Sequence, residues 1–292
     1  MADGVRLRLD ISYDGTDFSG WAIQPDRRTV AGELTQALTV LLRHPVQLVV
    51  AGRTDAGVHA LGQVAHVDVA VDGLRALAPR NPTVEEDSAA RHGLLRRLAG
   101  VLPPDVRVRS VTLAANGFDA RFSALRRHYR YRIGTSDWGV EPRDRRFVLG
   151  RRRALDIDAM ARAGAALIGL HDFAAFCRPR EGASTTRELQ GLTVERAGDG
   201  GAGEVWIDVV ADAFCHSMVR ALVGSLLAVG EGRDPVERPA AVLAAGLRTS
   251  AVHVAPAHGL TLLAVDYPAD AELARRAELT RAHRPAGPGG TS

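Results

Sequence analysis

The sequence predicts an α+β fold: two β-α-β-β-α-β halves joined into one mostly antiparallel sheet that is backed by helices. Three observations support it. Short segments alternate between apolar and polar residues, as half-buried strands do. Other segments place apolar residues at the spacing of one helix face. The order of these segments in the first half recurs in the second, so each half is expected to be a ferredoxin-like unit.

The first half follows this order from the N-terminus. Leu7, Leu9 and Ile11 share one face of a predicted strand, and Thr29 is a suitable N-cap for the next helix. The predicted elements are a strand from Val5 to Tyr13, a helix from Thr29 to about Arg43, strands from Val46 to Ala51 and from Gln63 to Val69, a helix from about Ala89 to Ala99, and a strand from Val106 to Leu113. The polar stretch 79–92 is interpreted as a surface insertion.

The second half contains an extra short helix. Its predicted elements are a strand around Tyr129–Ile133, a helix from Asp156 or Asp158 to about Ile168, a hairpin of Glu188–Glu195 with Glu204–Ala211, helices from Phe214 to Val229 and near Ala240–Ala245, and a strand from Leu260 to Tyr267. We therefore expect halves at residues 1–114 and 115–278. The tail 279–292, which is rich in Arg, Pro and Gly, is expected to be disordered.

Composition limits the class of protein. Hydrophobic residues make up 46% of the chain and charged residues 24%, which is typical of a globular protein. No apolar run approaches the roughly 18 residues that a membrane helix needs. The strand pattern starts at the N-terminus, so no signal peptide is expected and the predicted location is the cytoplasm. Cys177 and Cys215 have neither metal-ligand spacing nor the density of a disulfide scaffold.

The basic residues are all arginines, because the chain contains no lysine. A compositional bias of the source genome is one interpretation; independently of it, arginine binds phosphates and stacks on bases. Many of the arginines lie close together, with aromatic residues between them, as on a nucleic-acid surface; a solvated charged face is the other interpretation. The cluster comprises Arg121, Arg126, Arg127, Arg130, Arg132, Arg143, Arg145, Arg146 and Arg151 to Arg153.

The segment Ala51-Gly-Arg-Thr-Asp-Ala-Gly-Val-His59 lies between two predicted strands. It contains an Arg, an Asp and a His, which a simple turn between strands does not require. Gly52 and Gly57 flank an Arg-Thr-Asp core and allow backbone angles that other residues avoid. Such a loop can present Asp55 and Arg53 to a ligand. The alternative is an Asp that caps its own turn beside a solvated arginine.

The same segment, followed by Gly62-Gln-Val64, closely resembles the active-site loop of the TruA family of tRNA pseudouridine synthases. The resemblance covers nearly the whole chain except the stretch at 79–92 and the tail. Its other motifs are Tyr13-Asp-Gly15, Gly20-Trp21, Ala120-Arg-Phe-Ser-Ala124 with Tyr129-Arg-Tyr131, His171-Asp-Phe173, Phe176, Thr186-Arg187, Phe214-Cys-His-Ser-Met-Val-Arg220, Val223-Gly-Ser-Leu226, Gly259-Leu260 and Val265 to Tyr267. Ala22 replaces an amide that the family usually carries after Gly20-Trp21, which puts contacts to the RNA in doubt.

The resemblance implies a pseudouridine synthase fold and an isomerase acting on uridines 38, 39 and 40 in the anticodon stem-loop of tRNA. Asp55 would be the catalytic carboxylate, with Arg220 as its partner on a facing helix. Arg53 would hold a phosphate or keep Asp55 ionised, and Tyr129 would stack on the target uracil. The family implies a homodimer and tRNA as the partner, and no cofactor, metal or membrane.

Two other functions compete with this one. Paired ferredoxin-like units also bind or remodel RNA without chemistry, and the presence of Asp55 favours the enzyme over that interpretation. A metal-dependent nuclease is weakly supported, because Asp10 and Asp14 lack further carboxylates. His59 and His171 have no neighbours at metal-ligand spacing, so we expect satisfied or surface histidines.

Overall fold

A computed structural model describes residues 4–79, 85–180, 182, 184–197, 203–249 and 252–283. The chain divides into two compact units. The first contains the residues up to Leu125 together with Val265–His283, and the second contains Arg126–Ala264. Division into halves at 114 and 115 stays a prediction.

The first unit is built on antiparallel strands. Its elements are β1 (Gly4–Tyr13), α1 (Val30–Leu42), β2 (Leu48–Val50), β3 (His59–Ala70), α2 (Val71–Arg75), α3 (Glu86–Val101) and β4 (Val106–Leu113). β1 lies between β3 and β4 and pairs antiparallel with both, and β2 pairs antiparallel with β3. Leu7, Leu9 and Ile11 are fully buried, as the alternation predicts, and the Thr29 side chain accepts a hydrogen bond from the Gly32 amide at the start of α1.

The second unit contains β5 (Arg126–Gly134), β6 (Leu149–Gly150), α4 (Ile157–Ala165), β7 (Gly169–Asp172), β8 (Thr186–Arg196), β9 (Glu204–Ala211), α5 (Met218–Gly230) and α6 (Arg238–Ala245). The neighbouring pairs β5–β9, β9–β8 and β8–β7 are antiparallel, and only the short β6 runs parallel to β5 among these pairs. Through β10 (Leu260–Asp266) the chain passes back into the first unit, where α7 (Leu273–His283) is the last described element. The predicted α+β class, with mostly antiparallel strands backed by helices, is confirmed.

α3 begins at Glu86, so the second part of the stretch 79–92, interpreted as a surface insertion, is helical, and the helix starts three residues before the predicted Ala89. Glu86 and Asp87 occupy the first turn, where negative side chains favour the helix dipole. Asp87 also pairs with Arg75 on α2 at 2.7 Å. The middle of the predicted insertion, residues 80–84, lies outside the described residues.

The predicted disordered tail also begins too early. Residues 279–283 continue α7, whose Leu273 and Ala277 are buried, and Arg281 donates to Asp119 at 2.7 Å. The rest of the predicted tail, residues 284–292, lies outside the described residues.

Cys177 and Cys215 form a disulfide, with their Cα atoms 5.6 Å apart. The sequence did not predict this bond, because 38 positions separate the two residues and only the fold brings them together. Across the described ranges, no helix has the length and apolar character needed to span a bilayer.

Candidate active site

The Asp55 loop joins β2 to β3 and is fixed at its base by hydrogen bonds. The Ala51 amide donates to the Val64 carbonyl at 2.9 Å, and the Gln63 side-chain amide donates to the Gly52 carbonyl at 2.8 Å. Gln63 is fully buried, so this bond ties the loop to a side chain that is fixed inside the fold. The two strands and one buried side chain therefore set where the loop begins.

Two glycines of the N-terminal motifs let the chain pack directly against this loop. Gly20 has a φ of +97°, and a Cβ there would lie 2.9 Å from the Thr54 carbonyl oxygen. The Trp21 amide donates to that same carbonyl at 3.1 Å. A Cβ on Gly15 would overlap the Val58 carbonyl. Tyr13-Asp-Gly15 and Gly20-Trp21 thus clamp the loop from outside.

A buried chain of polar groups supports the loop from below. The Tyr13 hydroxyl lies 2.8 Å from the Thr54 hydroxyl and accepts from the Gln63 amide at 3.3 Å. Burial raises the pKa of Tyr13 to about 12, so its phenol is neutral at physiological pH. Thr54, directly before Asp55, is therefore held by its side chain as well as by its carbonyl.

His59 ends the loop as a buried structural residue. Only 1% of it is exposed, and its Nδ1 accepts a hydrogen bond from the Gly15 amide at 2.9 Å. The Asp14 carboxylate lies 3.2 Å from the same Nδ1, so this nitrogen is held between a backbone amide and a carboxylate. The expectation of a satisfied histidine is confirmed for His59.

The tip of the loop is the part that a ligand can reach. Gly57 has a φ of +77°, and the Val58 amide donates to the Asp55 carbonyl at 3.2 Å, which closes a tight turn after Asp55. Arg53 is exposed and Asp55 is half-buried. The loop thus offers a carboxylate and a guanidinium on a backbone that is held in place, as a catalytic carboxylate requires.

In the second unit, Tyr129 and Tyr131 face the same side of β5, as the alternation predicts. Tyr129 is 7% exposed, and the Phe214 ring meets it edge-on at a centroid distance of 5.1 Å. Tyr131 is fully buried and donates to the Pro256 carbonyl at 2.8 Å. Burial raises the pKa of Tyr131, so it stays a neutral donor.

Arg220 lies in the first turn of α5 and is fastened to the segment that precedes β10. Its Nε donates to the Ala255 carbonyl at 2.8 Å, and the Ala255 amide donates back to the Arg220 carbonyl at 2.9 Å. An inward-pointing arginine needs a partner, and this carbonyl is one. The orientation of Arg220 therefore depends on the position of that segment.

The chain is similar in sequence to known tRNA pseudouridine synthases over almost its full length. A family model described as tRNA pseudouridine synthase matches residues 163–268. The chain is 57% identical over 286 residues to tRNA pseudouridine synthase A of Frankia casuarinae, covering 97% of both chains. It is 53% identical to the Mycobacterium leprae protein of the same name, covering 96% of each, and 54% identical to that of Streptomyces griseus, covering 95% of this chain and 93% of that one.

The chain belongs to the TruA family of tRNA pseudouridine synthases. The family model spans α5 with Arg220 and leaves out the Asp55 loop, whereas the relatives match nearly the whole chain. Membership therefore rests on the complete chain and extends beyond the segment that the family model matches.

The predicted arginine cluster of this TruA-family chain contains both ion-paired and exposed arginines. On β5, Arg130 forms a two-pronged ion pair with Asp208 at 2.7 and 2.8 Å and stacks over Trp206, and Arg132 donates to Glu204. Arg130 and Arg132 are thus ion-paired within the unit, and their place on a nucleic-acid surface stays a prediction. The exposed members of the cluster are Arg121, Arg126, Arg143, Arg145, Arg146, Arg152 and Arg153.

The structure places Arg53 and Asp55 on one loop of the first unit, and Tyr129 and Arg220 in the second. Within that second unit, Tyr129 touches Phe214, which lies just before the helix that carries Arg220. Sequence reasoning missed the supporting roles of Thr54, Tyr13 and Phe214, although all three lie inside or beside the motifs that resemble the family. No cluster of three or more His, Cys, Asp or Glu side chains able to hold a metal ion occurs among the residues described.

Proposed function

We propose that this chain isomerises uridine to pseudouridine at positions 38, 39 and 40 of the tRNA anticodon stem-loop, with Asp55 as the catalytic carboxylate. The observation that carries the proposal is the clamped loop that presents a half-buried Asp55 beside an exposed Arg53. Membership of the TruA family supplies the reaction class and the tRNA substrate.

The reaction breaks the bond between uracil N1 and the ribose anomeric carbon, turns the base and joins the same carbon to uracil C5. The proton on C5 is released at the end, so the isomerisation needs no redox partner. Asp55 has three possible roles: attack on the anomeric carbon, attack on the base, or removal of a proton from the sugar. Each role requires a carboxylate at a fixed position, and the clamped loop provides that position.

The other three site residues bind the substrate. Tyr129 presents a ring that is held edge-on by Phe214, and it stacks on the target uracil and acts on a proton late in the reaction. Arg53 is exposed at the loop tip and binds a phosphate. Arg220 adds a second guanidinium whose Nε is already held by Ala255.

The chain is also proposed to work as a cytoplasmic homodimer. A whole tRNA extends well beyond one cleft, and a second subunit supplies basic surface at a distance from it. The segment Arg143 to Arg153 is the candidate for this surface, because Arg143, Arg145, Arg146, Arg152 and Arg153 are exposed within it.

The test uses the purified protein and unmodified tRNA labelled with tritium at uracil C5. We expect tritium release and pseudouridine at positions 38, 39 and 40 and nowhere else. Release of tritium with pseudouridine at other positions would refute positions 38, 39 and 40 as the targets and leave the synthase activity standing. Binding of tRNA without any release would replace the proposal with the non-catalytic RNA-binding function.

A further inference from the structure

A cavity of about 320 Å³ lies wholly within the second unit, and none of the proposed site residues lines it. Its basic members are Arg151, Arg233 and His253, and its apolar wall includes Leu227, Val254 and Pro256. The proposed function gives these three basic residues no common role. Their meeting in one concave site suggests an anionic ligand.

The buried carboxylate of Glu231 organises the two arginines. Its side chain is 6% exposed, and its Oε2 accepts from Arg233 Nε at 2.7 Å. Its other oxygen lies 3.8 Å from Arg151 Nε. One carboxylate thus faces two guanidinium groups, which leaves the cluster with a net positive charge before His253 is counted.

Arg151 has unused hydrogen-bonding capacity at this site. Its Nε is buried and has no hydrogen-bond partner among the described residues, because 3.8 Å is too long for a bond to Glu231. A buried donor without an acceptor is unfavourable, and an incoming oxygen anion would satisfy it. Arginine suits phosphate in particular, since its planar fork matches two phosphate oxygens.

The wall of the cavity is built on close backbone packing. The segment from His253 to Pro256 passes directly over α5 at Gly224, where any Cβ would overlap the His253 carbonyl. The Ala255 amide and the Tyr131 hydroxyl hold the same segment by hydrogen bonds. This wall of the cavity is therefore held in place by packing and hydrogen bonds, as a specific anion site needs.

We propose that this cavity is a phosphate-binding subsite that takes a backbone phosphodiester of the tRNA, apart from the target uridine. This rests on the proposed function for the identity of the RNA. Arg151 and Arg233 bind the phosphate oxygens, and Leu227 and Pro256 pack against the adjoining ribose. A free phosphate or nucleotide carries the same chemistry, and the experiment separates the two sources.

The main variant is Arg151→Gln, which removes the charge and leaves the Arg233–Glu231 pair in place. Arg238→Gln is the matched control, because Arg238 is exposed in the same unit and does not line the cavity. Affinity for tRNA is measured from 50 to 200 mM NaCl. We expect Arg151→Gln to weaken binding about three-fold to ten-fold at low salt and to reduce the salt slope by about 0.7 to 0.9, the value for one phosphate contact. The Arg238→Gln control should match the wild type in tRNA affinity, salt slope and turnover.

The second arm measures thermal unfolding with inorganic phosphate against chloride at equal ionic strength. Stabilisation of the wild type that is lost in Arg151→Gln, together with the change in salt slope, supports the subsite with tRNA as its ligand. The same stabilisation with an unchanged salt slope overturns tRNA as the ligand. Absence of both effects, in a variant that unfolds at the wild-type temperature, overturns the subsite. A changed slope in a protein that forms no pseudouridine would leave the subsite standing and refute the proposed function instead.

Discussion

The carboxylate of Asp55 is positioned by its neighbours in the chain. Gly15 and Gly20 allow backbone to pack on the loop, and Thr54 anchors it through both its carbonyl and its hydroxyl. An amide in place of the carboxylate has nearly the same shape, so it should leave this packing unchanged. The consequence of that substitution is therefore chemical.

Asp55→Asn should lower pseudouridine formation by about 10³-fold or more while changing tRNA affinity by less than about two-fold, because binding is spread over many phosphate contacts. Tritium release and filter binding measure the two quantities. Asp72→Asn, at an exposed position on α2, is the control and should retain full activity. Turnover by a clean Asp55→Asn preparation would refute the catalytic role.

The buried Tyr13 should make the free energy of unfolding depend on pH in the alkaline range. Burial raises its pKa to about 12 from an ordinary value of 10, so the folded state holds the phenol proton more tightly than the unfolded state does. Its contribution is fully present below pH 10 and is lost as the pH rises towards 12, by about 1.4 kcal/mol per pKa unit. Tyr13→Phe should flatten the fall in the free energy of unfolding between pH 10 and 12, as measured by urea unfolding. An unchanged slope would contradict this. Tyr131, whose pKa burial also raises, contributes to the slope that remains.

At the scale of elements, α5 depends on one glycine for its packing. A side chain at Gly224 would push away the segment from His253 to Pro256, and with it the carbonyl that holds Arg220. A Cβ at Gly100 in α3 would meet nothing within 4 Å, so that position provides a comparison with the same gain in helix propensity.

Gly224→Ala should destabilise the protein by about 1–3 kcal/mol and lower turnover at saturating tRNA by about ten-fold or more. Gly100→Ala should be neutral or stabilising by up to about 1 kcal/mol. Urea unfolding gives the stability and tritium release gives the turnover. Equal behaviour of the two alanine variants would show that the packing at Gly224 does not control Arg220.

Periodicity predicted most elements because it reports burial directly. The strand from Val106 to Leu113 has the predicted limits, and Asp156 caps α4 as one of the two candidates. The helix predicted from Phe214 begins at Met218 instead, because Ser217 adopts a left-handed φ of 62° and Cys215 is tied to Cys177. Neither constraint is visible in a periodic pattern, since both depend on contacts between distant parts of the chain.

The candidate site was likewise predictable where its residues are contiguous in sequence and not where they meet only through the fold. The loop with Arg53 and Asp55 was recognisable because its chemistry is contiguous in sequence. The support from Tyr13 and Gln63 was not, because it requires β1 and β3 to be in register. The ion pairs of Arg130 and Arg132 were not predicted for the same reason, since the carboxylates that pair with them lie about 70 positions later, on β9.

For the molecule as a whole, the exposed arginines of the segment Arg143 to Arg153 are expected to contact tRNA. Arg152→Ala combined with Arg153→Ala should reduce the salt slope of tRNA binding by about 0.7 to 0.9 for each arginine that binds a phosphate, and should leave turnover at saturating tRNA unchanged. Arg132→Gln is not a suitable control, because it would leave Glu204 without its ion-pair partner. Arg162→Gln, in the last turn of α4, serves instead. A slope equal to that of the wild type would show that Arg152 and Arg153 lie on a solvated face and do not contact tRNA.

The proposed homodimer follows from the size of the substrate. An anticodon stem-loop held in register needs contacts at a distance from the base that reacts, and a two-fold dimer doubles the basic surface without enlarging the chain. Light scattering at micromolar concentration should therefore give twice the 31.1 kDa mass of one chain. If the dimer is needed for tRNA binding, dilution below its dissociation constant should lower the activity per chain. A monomeric mass together with full activity would contradict the proposal, because one chain would then hold the tRNA by itself.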